Sequence, residues 1–292
     1  MIENFAIIIG AMKAGTTTLF DHLAAHPAIA PASPKEPGFF AFEEKFDAGL
    51  ASYEALFDFD AESHKWALEA STDYTKFPHA SDIADRFAST GRHFKLIYVL
   101  RHPIARIQSH AKHTQHWRKE LGQVETSIKD HGLDHGVSPV NLDASRYASQ
   151  LDQYKEYFLR GDLLLVGMEG MIENPEAVAA RVCQFLAIDP SGLPAKMSAS
   201  NKASAVQRTE EPSALWQAAR AVGPLRAAAK ALIPDELRTM LRHKTRPPAA
   251  IEGRFKMTPE EEAEYLAVLR PDLIRLRDEY GVDIKAWWGI EF

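Results

Sequence analysis

The apolar positions of the chain change period several times, and each change predicts an element. Phe5 to Ile9 (FAIII) is a continuous, largely β-branched run, the pattern of a strand buried on both faces of a parallel sheet. It leads into Gly10, and from Thr16 to His26 the residues Leu19, Phe20, Leu23 and Ala24 recur at helical spacing until Pro27 stops them. Trp66–Glu69 (WALE) and Phe94–Leu100 (FKLIYVL) predict two more strands. The second ends in Arg101-His102-Pro103, with Pro103 suited to the first turn of a helix. One long amphipathic helix is predicted from about Asp143 to Leu159, then a strand at Leu163–Val166 and a helix at Val178–Leu186. Thr258-Pro259-Glu260-Glu261 starts a last helix with a capping box. Strands alternating with helices predict an α/β fold, a central parallel sheet flanked by helices, and residues 1–292 read as a single domain.

One stretch has a different character. Residues 200–248 are Ala-rich and Arg-rich, and Pro212, Pro224, Pro234, Pro247 and Pro248 divide them into short predicted helices, an α-helical insert. Between Arg220 and Arg246 seven Lys or Arg stand against two acids. That basic segment reads as a solvated face, a rim for an anionic acceptor or a peripheral membrane contact, or a subunit contact.

Composition narrows the function classes. With 46% apolar and 25% charged residues the chain is ordinary for a globular protein. Its 34 basic against 40 acidic residues give a net charge of −6, which argues against a nucleic-acid partner. The single cysteine, Cys183, excludes a disulfide framework and a Cys-based zinc cluster. No apolar run approaches the ~20 residues of a membrane span. With no targeting segment visible before Phe5, the cytoplasm is the expected location.

The chemistry starts in Gly10-Ala11-Met12-Lys13-Ala14-Gly15-Thr16-Thr17-Thr18. Glycines between a buried strand and a helix let backbone N–H groups converge on an anion, and the helix N-terminus adds its field. Gly10 and Gly15 have the spacing of a nucleotide phosphate loop, hence a P-loop-like fold. Thr16 stands where such loops carry lysine, and the lysine is Lys13, inside the loop. The strand that would end in a magnesium-binding acid in a kinase ends here in Arg101, with Ser109 eight residues on. Arginine and serine suit a phosphate gripped without metal. Two anion sites at one sheet edge suit a nucleotide with phosphates at both its 5′ and 3′ positions.

These motifs resemble those of sulfotransferases that use 3′-phosphoadenosine 5′-phosphosulfate (PAPS). The Gly10–Thr18 loop is similar to the family's 5′-phosphosulfate loop, and Arg101 through Ser109 to its 3′-phosphate motif. Lys35-Glu36-Pro37-Gly38-Phe39-Phe40 is similar to the Lys-Glu-Pro-His-Phe-Phe signature of heparan-sulfate-type and bacterial carbohydrate members. The likeness continues through Glu69-Ala70-Ser71-Thr72-Asp73-Tyr74, Ser145-Arg146-Tyr147 and Leu163–Val166, and resumes at Glu252-Gly253-Arg254.

The resemblance implies a role for each residue. Lys13 faces the bridging oxygen of the phosphosulfate, while Ala14, Gly15, Thr16, Thr17 and Thr18 bind the 5′-phosphate. Arg101 and Ser109 bind the 3′-phosphate, with Gly253 and Arg254 closing over it. Glu36 is the expected general base, and His110 or His113 is the alternative. Asp73, Tyr74, His110, His113 and Tyr147, with Arg146, are expected to line the acceptor cleft; Lys35 and Glu36 as an exposed pair, and Tyr147 as a packing residue, are the plainer readings. His110, His113 and His116 recur every third residue, which drifts around a helix and leaves them without a shared metal. Gly38 replaces the family's histidine and Ala70 replaces the lysine of heparan-type members, which weakens any transfer of heparan specificity. The implied reaction is metal-free, in-line transfer of a sulfuryl group from PAPS to a hydroxyl of a glycan or small metabolite, releasing adenosine 3′,5′-bisphosphate (PAP). A phosphate-loop kinase and a non-catalytic nucleotide-binding protein of the same fold are the rival readings.

Overall fold

A computed structural model describes residues 1–120, 138–197 and 257–292. Its centre is a five-stranded, all-parallel sheet in the order β2-β3-β1-β4-β5. The strands are β1 (Asn4–Gly10), β2 (Ile29–Pro31), β3 (Trp66–Glu69), β4 (His93–Leu100) and β5 (Leu163–Gly167). β1 lies in the middle because its five apolar residues can be buried on both faces, and Phe5 to Ile9 are fully enclosed. Each such side chain contributes about 1.5–3 kcal/mol by leaving water. The register pairs Phe5 with Ala67 on one side and Phe94 on the other.

The chain moves from β1 outward to β2 and β3, then crosses to β4 and β5, so the order reverses at β1. In parallel α/β sheets the crevice at that reversal, outside the strands' carboxyl ends, is where ligands bind. Helix α1 (Thr16–Ala24) follows β1, and α5 (Pro103–Glu120) follows β4. The last long helix, here α11 (Pro259–Tyr280), packs across α7 (Tyr147–Leu151). It starts with the expected capping box: Thr258 Oγ1 accepts from Glu261 N–H, and Glu261 Oε2 accepts from Thr258 N–H.

One expectation is corrected and one unforeseen strand is added. The single helix over Asp143–Leu159 is two short ones, α7 and α8 (Lys155–Arg160), separated by a 3-10 turn and preceded by α6 (Pro139–Asp143). The break at Ser145–Arg146 has a cause, because the Asn141 carbonyl and the Ser145 hydroxyl are both taken by the buried Arg106. α7 restarts under an external cap: the Asp272 carboxylate of α11 accepts from the N–H groups of Ala148 and Ser149, each at 2.9 Å. β2, three residues ending in Pro31, is too short to show a period and is the strand the sequence pattern does not predict. The insert at 200–248, its basic 220–246 segment, and Gly253 and Arg254 lie outside the described residues.

Candidate active site

All five strands deliver their carboxyl ends to the same edge. β1 ends at Gly10, where a side chain is impossible: an added Cβ would stand 2.0 Å from Thr75 Oγ1. Thr75 in turn donates to the Ile9 carbonyl at 3.0 Å, so the 3-10 turn Thr72–Thr75 is clamped against the start of the loop. Gly15 takes the left-handed N-cap conformation (φ 86°), and no side chain caps α1. Its first N–H groups therefore have no side-chain cap, the state in which a helix N-terminus can receive an anion. Ala14 is buried beneath, while Thr17 and Thr18 are half-buried.

Lys13 and Arg101 converge over this loop. Arg101 Nη1 donates to the Lys13 carbonyl at 2.9 Å, tying the loop after β4 to the loop after β1. Burial lowers the pKa of both, and the Arg101 charge lowers Lys13 further, while the Glu36 carboxylate opposes this. Two partly desolvated like charges held together are costly alone and favourable around a polyanion. Ser109 sits half-buried on α5.

The Arg101 backbone is fixed from behind. Tyr147 Oη donates to the Arg101 carbonyl at 2.7 Å. Glu169 accepts from His102 N–H at 2.9 Å and from Trp288 Nε1 at 3.2 Å, which brings the C-terminal helix α12 (Ile284–Trp288) to the site's base. Arg106 is fully buried. It spends its donors on Ser145 Oγ (2.7 Å), the Asn141 carbonyl and Oδ1, the Met12 carbonyl (3.5 Å) and His110 Nδ1 (3.5 Å).

Glu36 lies on the loop after β2, its side chain 43% exposed and paired with Lys35 Nζ at 2.6 Å. The pair is more than a surface contact: Lys35 Nζ also donates to Thr17 Oγ1 at 3.2 Å, linking the Glu36 loop to the start of α1. Gly38 adopts φ 61°, and a Cβ there would meet the Phe42 ring at 2.9 Å. A histidine cannot occupy this position without moving Phe42, so the departure from the family signature is built into the loop.

The acceptor residues divide. His110 lies within electrostatic reach of Arg106, Lys76, His113 and Lys13. Burial, then the charges of Arg106, Lys76, His113 and Lys13, hold His110 down to about 3. Asp73 pairs with Lys76 at 2.5 Å and is half-exposed, and His113 is exposed. Tyr74 and Tyr147 are corrected. Both are fully buried, Tyr74 with its hydroxyl on Glu69 and the Phe40 backbone and Tyr147 on the Arg101 carbonyl, so neither hydroxyl opens into a cleft. Arg146 pairs with Asp143 at 3.0 Å. The side chain of His116 falls outside the described ones; among those described, no group of three or more His, Cys, Asp or Glu could hold a metal ion. Sequence reasoning missed Lys35, Arg106 and Glu69 as site-building residues, although all three lie inside the motifs it singled out.

A glycine-bounded loop, two cations and an uncapped helix at the reversal point of a parallel sheet define an α/β protein of the phosphate-loop kind. The model of the sulfotransferase family matches residues 6–191, and the chain belongs to that family. It is 30% identical over 188 residues to heparan sulfate glucosamine 3-O-sulfotransferase 6 of Mus musculus, covering 63% of this chain and 52% of that protein. It is 29% identical over 186 residues to heparan sulfate glucosamine 3-O-sulfotransferase 3A1 of the same organism, covering 63% and 45%. The chain thus spans about half the length of these relatives. A sulfotransferase crystal structure from Alicyclobacillus acidocaldarius shares the fold over 98% of this chain and 99% of that one, with TM-score 0.63 at 19% identity. The matched segment contains Lys13, Glu36, Arg101 and Ser109 and stops before Gly253 and Arg254. Among the described residues no helix is long and apolar enough to cross a membrane.

Proposed function

We propose that the protein transfers a sulfuryl group from PAPS to a hydroxyl of a sugar or small metabolite and releases PAP. The observation that carries this reading is the Lys13–Arg101 pair, two neighbouring desolvated cations with the Glu36 carboxylate beside them. Arg101 and Ser109 take the 3′-phosphate, and Gly253 and Arg254 close over it. The N–H groups of Gly15 and the start of α1, with the hydroxyls of Thr16, Thr17 and Thr18, take the 5′-phosphate, while the Ala14 N–H closes the loop on the Ala11 carbonyl at 3.1 Å. The acceptor oxygen attacks sulfur while Glu36 removes its proton. The bond from sulfur to the bridging oxygen breaks in line, its electron pair leaving on the 5′-phosphate, where the Lys13 ammonium meets the charge. Glu36 is favoured over His110 as base, since a histidine titrating near 3 takes up a proton poorly.

Asp73 and His113 border the acceptor side. The two named relatives act on glucosamine in heparan sulfate, which supports a sugar hydroxyl as the acceptor class. Gly38 and Ala70 make heparan itself a poor match.

The test is ³⁵S-labelled PAPS offered with heparan sulfate, simple sugars, phenols and hydroxylated metabolites, together with calorimetry of PAP binding. Wild type should bind PAP and label an acceptor. Glu36→Gln should bind PAP with unchanged affinity and leave the acceptor unlabelled. A fully active Glu36→Gln moves the base elsewhere, and no PAP binding by wild type overturns the cofactor.

A further inference from the structure

The loop that carries Glu36 hangs from the end of β3 by three backbone contacts. Ala70 N–H donates to the Lys35 carbonyl at 3.0 Å, Gly38 N–H to Ser71 Oγ at 2.9 Å, and Phe40 N–H to Tyr74 Oη at 3.3 Å. A hydroxyl fixes a backbone N–H firmly only when its own proton has a fixed destination. Here both protons go to one carboxylate. Ser71 Oγ donates to Glu69 Oε2 at 2.5 Å and Tyr74 Oη to Glu69 Oε1 at 2.7 Å. Tyr53 Oη adds a third bond to Oε1 at 2.9 Å. Glu69 is fully buried, and among the described residues it has three hydroxyl donors and no salt bridge. A carboxylate enclosed without a counter-ion is expensive, and neither role given to this edge, phosphate binding or proton removal, uses it.

We propose that Glu69 is the positioning residue of the catalytic loop: its buried carboxylate orients the Ser71 and Tyr74 hydroxyls, and through them sets Gly38, Phe40 and the height of Glu36 above the phosphate loop. The inference rests on the role given to Glu36. Glu69 itself touches neither cofactor nor acceptor and acts only through the hydroxyls. The arrangement requires the ionised form. A proton on Oε2 makes the carboxyl group the donor, so Ser71 Oγ must accept twice and its own proton loses its target.

The groups facing Glu69 are Tyr53 from the helix Leu50–Glu54, Ser71 and Tyr74 beyond β3, Tyr154 from the 3-10 turn before α8, and the Glu36 carboxylate. Burial pushes Glu69 up to about 7, with the three hydroxyls opposing the shift and Glu36 adding to it. The loop is thereby held on the alkaline side of neutrality and loosened on the acid side.

Hydrogen exchange read by mass spectrometry on the full chain tests this without acceptor or cofactor. Corrected for intrinsic rates, exchange across residues 35–40 in wild type should slow about tenfold as pH rises from roughly 6 to 8. Glu69→Gln keeps the shape, but its amide cannot accept every hydroxyl. It should exchange about tenfold faster than wild type at the alkaline end and lack the pH step, while residues 10–18 are unchanged. Ser71→Ala, a milder change should Glu69→Gln fail to fold, should loosen the same segment. Affinity for PAP should match wild type in both variants, and with an acceptor in hand kcat should fall with KM for PAPS unchanged. A loop equally protected in wild type and variants, or a pH step that survives Glu69→Gln, overturns the proposal. Failure of wild type to bind PAP overturns the sulfotransferase reading and leaves the exchange result standing.

Discussion

Lys13 and Arg101 are both cations at one edge, yet they should fail differently when removed. Lys13 is assigned to the bridging oxygen, where the proposed transfer would develop charge, so Lys13→Ala should cost about 10²-fold or more in turnover and far less in PAP affinity. Arg101 is assigned to a ground-state contact with the 3′-phosphate, and Arg101→Ala should weaken PAP while leaving adenosine 5′-phosphosulfate nearly unaffected. Calorimetry with both nucleotides, beside turnover, separates the two. Equal loss for both nucleotides in Arg101→Ala contradicts the 3′ assignment. Residues of this kind were legible in the sequence because their identity carries the chemistry: a lysine inside a glycine-bounded loop has few other uses. Tyr74 and Tyr147 were not. An aromatic hydroxyl looks the same in sequence whether it faces a cleft or a carboxylate in the core, and only the packing of β3 and α7 decides.

At the scale of elements, the phosphate loop, α5 and α6 meet on one guanidinium. Arg106 reaches Met12, His110, Asn141 and Ser145, and among the described residues these neutral acceptors offset its cost of burial. Arg106→Met should strand several of them in the core, and each lost partner is worth about 1–3 kcal/mol. A loss of at least about 3 kcal/mol in urea unfolding is expected, with weaker PAP binding because Met12 is freed. Unchanged stability would show that α5 and α6 are held by apolar packing alone. This tie also explains where reading by period failed. The apolar pattern over Asp143–Leu159 is helical throughout, but a pattern cannot show that Arg106, some 40 residues earlier, takes the turn's acceptors, or that Asp272 caps the restart from α11. The β strands were easier, since a run such as FAIII has no stable place except the middle of a sheet.

For the molecule as a whole, two buried groups set opposing slopes of stability with pH. His110 titrates near 3 when folded and near 6.5 when unfolded, so its contribution is full above 6.5 and lost as pH falls toward 3. Glu69 is the reverse: its folded value of about 7 lies above the unfolded 4.5, so its contribution is full below 4.5 and lost as pH rises through about 7. Between 4.5 and 6.5 the two nearly cancel, and wild type should show a plateau there, the Asp272 shift adding to the Glu69 side. Glu69→Gln removes one slope and leaves the other. Its stability relative to wild type should therefore climb by about 3 kcal/mol between roughly pH 4.5 and 7, even as its catalytic loop loosens. Thermal or urea unfolding at intervals of half a pH unit measures this directly. A constant gap between variant and wild type would mean that folding leaves the Glu69 pKa where it is in the unfolded chain, so that the carboxylate is ionised throughout and the pH step expected of residues 35–40 has no cause. A growing gap ties the global pH profile to the same carboxylate that positions Glu36, so that the fold gives up stability near neutrality at the residue that orders its catalytic loop.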